Sequence, residues 1–213
     1  MNTDFAAVSP DTRLPDALSI MRAREVHGLP VIEGGLLVGT VSENDLLYAL
    51  PSAVKPVSWV EAAAQAALIP VRDVMQHDLV SICASCPVEM AAAIMVDHDL
   101  DSLPVVDPPQ SQHLVGMITK TDIFKLFVEM LGSRTSSVRA SLEIENRKGA
   151  LASLLNRVVE AGGLIVSIST FPATRPGRIR TILKVADVGQ EEIRSLLKPE
   201  ETIIDLREIH GAC

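Results

Sequence analysis

Residues 29–46 read LPVIEGGLLVGTVSENDL, and residues 103–123 read LPVVDPPQSQHLVGMITKTDI. Each is a short apolar strand, a turn, a second apolar strand carrying a glycine, and a polar step into a helix. The two copies align by residue. Leu29-Pro30-Val31 pairs with Leu103-Pro104-Val105, and upstream Met21 pairs with Met95 and Met1 with Met75 at the same spacing. Downstream the offset grows by three because residues 108–112 lengthen the second hairpin. Gly39 then pairs with Gly116, Ser42 with Thr119 and Asp45 with Asp122. A tandem copy decides the architecture before any local element does, because each repeat is one supersecondary unit that buries its apolar face against the other.

Working outward, the first copy opens with a strand at Phe5–Val8. A turn at Ser9-Pro10-Asp11-Thr12 is suited to cap the helix that follows. Leu14, Leu18 and Met21 keep helical spacing with Ala17 beside them, and Pro15 is compatible with a first helical turn. His27-Gly28 is expected to end that helix. A hairpin at Leu29–Ile32 and Leu36–Val41 leads into a helix from Ser42 to Leu50. Residues 51–70 interrupt the repeat with an alanine-rich helical segment holding the single tryptophan, Trp59. The second copy runs over 71–132. Its lead-in Val71–Met75 has only Met1 as counterpart, so a lead-in helix is expected to be missing from the first copy. Gly132–Ser137 reads as a polar linker. The remainder, 137–213, reads strand 138–144, helix 150–161, strands 164–171 and 178–186, helix 190–197 and strand 202–209. This βαββαβ order places helices on one face of an antiparallel sheet. The basic hairpin Arg175, Arg178, Arg180 and Lys184 reads as a solvated strand face.

Composition limits the function classes. Apolar residues make up 47% and aromatics 3%, so the cores are aliphatic. No apolar run approaches the ~20 residues of a membrane helix, and the opening residues show no secretory signal. Three cysteines argue against a disulfide framework. Cys83 and Cys86 fall opposite Ser9 and Thr12 and read as small turn residues of a reduced, cytoplasmic protein. Residues 1–132 carry 17 acidic and 7 basic side chains, a net −10, whereas 133–213 carry 10 and 12, a net +2. That break marks two modules, and the acidic first one is unsuited to a nucleic-acid backbone. No HExxH, GxSxG, Walker loop or dinucleotide fingerprint occurs, so no catalytic or metal centre is expected.

The residues able to carry chemistry are Ser42-Glu43-Asn44-Asp45 and Thr119-Lys120-Thr121-Asp122, each an [ST]-x-x-D box after a glycine-bearing strand. Such a box caps a helix: the hydroxyl accepts from the third residue, and the acid accepts from the cap N–H. The same geometry can serve a ligand. A helix N-terminus attracts phosphate, the hydroxyl can donate to it, and a carboxylate can accept from both hydroxyls of a ribose. Asp97, His98, Asp99 and Asp101 read as a solvated helix end.

The paired pattern LPV…G-x-[V/I]-[ST]-x-x-D resembles the tandem CBS (Bateman) module. That resemblance implies two repeats about a pseudo-twofold axis, with adenine nucleotide in the clefts between them. It implies Asp45 and Asp122 as ribose ligands, Ser42 and Thr119 as phosphate contacts, and His27, Gly28, Asp101 and Ser102 at the adenine positions. The C-terminal part resembles an ACT domain, a ferredoxin-like α+β fold. Its turn survives as Asn146-Arg147-Lys148-Gly149, with Lys148 where the family commonly has proline, and implies an amino acid at Asn146 and Gly149 or a purely dimerising role. The combination resembles the acetoin-utilisation family. Four regions are therefore expected: CBS repeats at 1–50 and 71–132, a helical linker at 51–70, and an ACT domain at 137–213. The expected protein is a cytoplasmic homodimeric regulator without cofactor. It senses an adenine nucleotide and acts on an unidentified enzyme, with no nucleic-acid or membrane partner. The other reading that stays open is a ligand-independent dimerisation module whose boxes only cap helices.

Overall fold

A computed structural model describes residues 1–49, 67–108 and 110–210. The chain divides into two compact units, Met1–Ile123 and Phe124–Cys213. The segment expected as a helical linker, with Trp59, lies outside the described residues except for 67–70.

In the first unit, helix α1 (Leu14–Arg24) precedes strands β1 (Gly28–Glu33) and β2 (Leu36–Ser42), and α2 (Glu43–Tyr48) follows. The second copy repeats this as β3 (Ile82–Cys83), α3 (Val88–Asp97), β4 (Ser102–Val106), β5 (Leu114–Thr119) and α4 (Lys120–Met130). Both hairpins are antiparallel: Leu29 pairs with Val41 and Leu103 with Ile118. Each repeat builds an aliphatic cluster, the first also taking in Val71 from the second copy's lead-in. Leu14, Ala17 and Met21 of α1 meet Leu29, Val31, Val41, Leu46 and Val71. Ala91 and Met95 of α3 meet Ile82, Leu103, Val105 and Ile118. A third cluster, of Leu37, Val106, Leu114 and Met117, draws on both repeats.

The repeats also trade edges. Asn2, ahead of the first repeat, exchanges backbone hydrogen bonds with Met117 on β5 at 2.8 and 2.9 Å, while Gln76, ahead of the second, does so with Thr40 on β2 at 2.8 and 3.1 Å. Glycine permits both dockings. A Cβ on Gly39 would lie 2.8 Å from Met75 Sδ, and one on Gly116 would lie 2.6 Å from Met1 Cγ. Met1 and Asn2 thus occupy the place of Met75 and Gln76. The second lead-in turns only once as a 3₁₀ helix, Val71–Asp73.

Several local expectations are corrected. Phe5–Val8 is no strand: only Val8 bridges, to Val31. The turn at Ser9–Thr12 closes on itself, with Ser9 N donating to Thr12 Oγ1 at 3.1 Å, and α1 has no side-chain cap at Arg13. Helix α1 ends at Glu25 in the left-handed region (φ 53°) rather than at His27-Gly28, and α3 ends alike, with Asp99 at φ 52°. Val26 N and Leu100 N then donate back to Met21 O and Met95 O, each at 2.9 Å. Those closing bonds hold an acidic residue where glycine is the usual occupant.

Cys83 and Cys86 are joined in a disulfide, which corrects the reduced reading. The bond is the covalent counterpart of the Ser9–Thr12 pair, whose hydroxyl oxygens sit 3.1 Å apart in the equivalent turn. Protein purified without reductant is expected to show one reactive thiol under denaturing conditions and three after reduction. Three before reduction would contradict the bond.

The second unit runs β6 (Ser137–Glu145), α5 (Ala150–Glu160), β7 (Leu164–Pro172), β8 (Arg178–Ala186), α6 (Gln190–Leu196) and β9 (Thr202–Ile209). The sheet order is β7-β8-β6-β9, all antiparallel. Leu154 and Val158 of α5 and Ile193 of α6 share one core with Val138, Ala140, Leu142, Ile144, Leu183 and Val185, so both helices cover the same sheet face. The residues expected as a polar linker are anchored: Lys184 Nζ donates to Gly132 O at 3.1 Å, and Ser167 Oγ to Leu131 O at 3.2 Å. The basic hairpin is accordingly not simply solvated. Lys184 is buried, which together with Arg139 lowers its pKa. Arg178 donates to Glu143 O and Glu200 O at 2.7 and 2.6 Å.

Candidate functional site

Both [ST]-x-x-D boxes form. Ser42 Oγ accepts from Asp45 N at 3.1 Å, while Asp45 Oδ2 accepts from Ser42 N at 2.8 Å and Ser42 Oγ at 2.6 Å. Thr119 and Asp122 repeat the pattern, with Asp122 Oδ2 accepting from Thr119 N and Oγ1, both at 2.9 Å, and Thr119 Oγ1 accepting from Asp122 N at 3.1 Å. The strand delivers the hydroxyl at the last residue of β2 or β5, and the helix returns the acid three residues on. One oxygen of each carboxylate is spent on the cap. The four side chains are half-buried, so the boxes are open to a solute.

The residues at which each hairpin begins, His27-Gly28 and Asp101-Ser102, come to the same place as the boxes. The backbone does this: Glu43 N donates to His27 O at 2.9 Å, and Lys120 N to Asp101 O at 3.0 Å. Gly28 and Ser102 approach across the two repeats, since a Cβ on Gly28 would stand 3.7 Å from Ser102 Oγ. His27, Gly28, Ser42 and Asp45 are thus gathered in one repeat, and Asp101, Ser102, Thr119 and Asp122 in the other.

The two sets differ in charge. His27 Nδ1 lies 3.1 Å from Glu43 Oε2 in the first. In the second, Lys120 Nζ donates to Asp101 Oδ1 at 2.8 Å and lies 3.9 Å from Asp99. The hydrogen bond to Asp101, aided by the charges of Asp101 and Asp99 against desolvation, raises the Lys120 pKa and keeps it cationic. Asp99 therefore serves as helix terminus and ion-pair partner. Among the described residues no group of three or more His, Cys, Asp or Glu is placed to hold a metal ion. Likewise, no helix among them is long and apolar enough to cross a membrane.

One participant has no local sequence signal. Gln76 Nε2 donates to Asp45 Oδ1 at 2.9 Å across 31 positions. The alignment that pairs Met75 with Met1 also pairs Gln76 with Asn2.

In the second unit, Asn146 and Gly149 are exposed at the turn between β6 and α5. Asn146 N donates to Gly177 O at 2.8 Å, and Gly149 sits at φ 81° ahead of the helix. A small recess beside this turn is lined by residues including Arg147, Ser153, Lys198 and Glu201, with neither Asn146 nor Gly149 in its wall.

This arrangement of paired hairpins, reciprocal edges and matching helix-cap boxes is that of a CBS pair. The CBS-domain family profile matches residues 1–52 and 71–129, and the chain belongs to that family. A CBS domain-containing protein of Dictyostelium discoideum is 30% identical over 132 residues, covering 62% of this chain and 90% of its own length. A solved AcuB, a putative acetoin utilization protein from Vibrio cholerae, aligns at TM-score 0.51 and 27% identity, covering 62% of this chain and 89% of that one. CBSX2, a CBS-pair protein from Arabidopsis thaliana, was solved in complex with AMP. That structure aligns at TM-score 0.50 and 28% identity over 62% of this chain and 94% of its own.

Proposed function

We propose that this chain is a non-catalytic regulatory protein. Its CBS pair senses an adenine nucleotide of the AMP, ADP or ATP class, and its C-terminal unit is an ACT domain. The carrying observation is the pair of helix-cap boxes, each presenting a hydroxyl and a carboxylate beside the residues ahead of the hairpin. The phosphate would lie at the helix starts beside Ser42 and Thr119, with Asp45 and Asp122 at the ribose, and His27, Gly28, Asp101 and Ser102 at the base. The likeness to a CBS pair solved with AMP supports this reading. The likeness to AcuB supports a place in acetoin or carbon metabolism. The βαββαβ order supports the ACT assignment, with an amino acid at Asn146 and Gly149 as its candidate ligand. Exposed Phe124, Phe127 and Met130 on α4, and Leu164, Ile168 and Phe171 on edge strand β7, offer apolar surface to a second copy, which supports a homodimer. Nucleotide binding regulates a target only by favouring one arrangement over another.

A second reading is favoured by one fact: the boxes are already satisfied as caps. The chain would then be a ligand-independent dimerisation module. Thermal unfolding against AMP, ADP, ATP, S-adenosylmethionine and amino acids separates the two. A ligand at ~100 times its dissociation constant stabilises by about 2.7 kcal/mol. For a unit of this size that is a rise of several degrees. A rise with one adenine nucleotide is expected; no shift with any ligand favours the dimerisation module.

A further inference from the structure

We infer that the two boxes are unequal, that Asp122 is the ribose-binding acid, and that Gln76 keeps Asp45 from serving as a second one. This rests on the nucleotide reading above and specifies which cleft fills.

A carboxylate oxygen accepts two hydrogen bonds. In each box Oδ2 is full, taking the cap N–H and the cap hydroxyl. With the cap hydroxyl kept on Oδ2, a ribose donating both of its own hydroxyls needs both positions of Oδ1. At Asp122 that oxygen has no hydrogen-bond partner among the described residues. At Asp45 one position is already taken by the Gln76 amide at 2.9 Å. The Gln76 side chain has a fixed base, because its backbone is pinned to Thr40 by two hydrogen bonds and Met75 packs against Gly39.

The equivalent position in the other box explains the difference. Asn2 is pinned to Met117 as Gln76 is to Thr40, but its side chain is one methylene shorter. Its Oδ1 accepts from Asp4 N at 2.9 Å instead of the side chain reaching Asp122. A single methylene between Asn2 and Gln76, whose backbones are pinned alike, leaves one acid engaged and the other available. Charge points the same way. The residue after the cap is Lys120 beside Asp122, ion-paired with Asp101, and Glu43 beside Asp45, so phosphate at the first box meets an added anion and at the second a cation it can share.

Calorimetric titration of the full chain with AMP tests this. One site per chain is expected. Asp122→Asn, which keeps a cap acceptor, is expected to weaken that site about tenfold or more, the loss of a hydrogen bond to a charged group. Gln76→Ala and Gln76→Asn are each expected to add a second site. Adding Asp45→Asn to Gln76→Ala is expected to remove it again. Gln76 is exposed, so its variants test occupancy without disturbing the core. Two equal sites in the parent chain overturn the inference and leave the nucleotide reading standing, as does a stoichiometry that stays at one in both Gln76 variants. So does binding that is indifferent to Asp122→Asn. No binding of AMP, ADP or ATP by the parent or by any Gln76 variant overturns the nucleotide reading itself, and the inference with it.

Discussion

Leu142→Ala is expected to destabilise the C-terminal unit by about 3 kcal/mol, within the ~2–5 kcal/mol range of buried leucine truncations. Leu142 is 0% exposed. It lies on β6, which is flanked by β8 and β9, and is paired with Thr181 and Ile203. Strands on both sides hold its backbone, and Leu154 and Val158 of α5 share its cluster, so the walls have little freedom to close on the space left behind. Cavity cost then adds to lost transfer energy. In a unit of this size each kcal/mol moves the midpoint by about 4–8 °C, which makes the expected drop about 12–24 °C. Urea and thermal unfolding monitored on this unit measure it. A loss under about 1 kcal/mol would mean that the strands relax into the cavity.

A comparable loss, about 3 kcal/mol, is expected for Arg157→Leu, by a different mechanism. Arg157 Nη2 donates to both Glu201 oxygens at 2.6 Å, Nε donates to Leu196 O at 2.8 Å, and Nη1 to Ser153 Oγ at 2.9 Å. One side chain thereby ties α5 to the end of α6 and to the turn before β9. The Glu201 side chain is only 7% exposed. Without the guanidinium its carboxylate keeps the Lys198 N–H at 2.9 Å but loses its ion-pair partner and both short hydrogen bonds. Stranding one partner of a buried pair costs more than the pair is worth, and replacing both by apolar groups recovers much of the loss. Arg157→Leu with Glu201→Leu is therefore expected to be more stable than Arg157→Leu alone. A double-mutant cycle by chemical denaturation reads this directly; purely additive losses would count against the pairing.

The two copies of the hairpin and its following helix were legible because they are short-range patterns written twice. The β6–β9 unit was legible because its strands and helices keep their periods between clear turns. Structure departs from local pattern where the deciding contact is distant or the turn chemistry unusual. Nothing local to Phe5–Val8 says that only Val8 finds a partner. Glu25 and Asp99 take a left-handed conformation that the pattern assigns to glycine, and they are held there by hydrogen bonds invisible in the string. The Cys83–Cys86 spacing was visible, and so was its match to Ser9 and Thr12. Small residues occupy both turns, and each turn is closed by contact between its first and fourth side chains. At the candidate site the boxes follow from local spacing, as any helix cap does. The Gln76–Asp45 bond joins residues in different repeats, and no periodicity carries it.

The traded edges have a consequence for how the first unit comes together. Thr40 is without its backbone partner until Gln76 has been synthesised, and Asn2 waits for Met117, nearly the full span of the unit away. Asn2 is thus among the last residues of the unit to find its place. Contacts of such separation slow folding, because loop closure precedes any gain from them. A first repeat alone leaves β2 an open edge, the state in which strands recruit neighbours. The pair is expected to fold as one event rather than repeat by repeat.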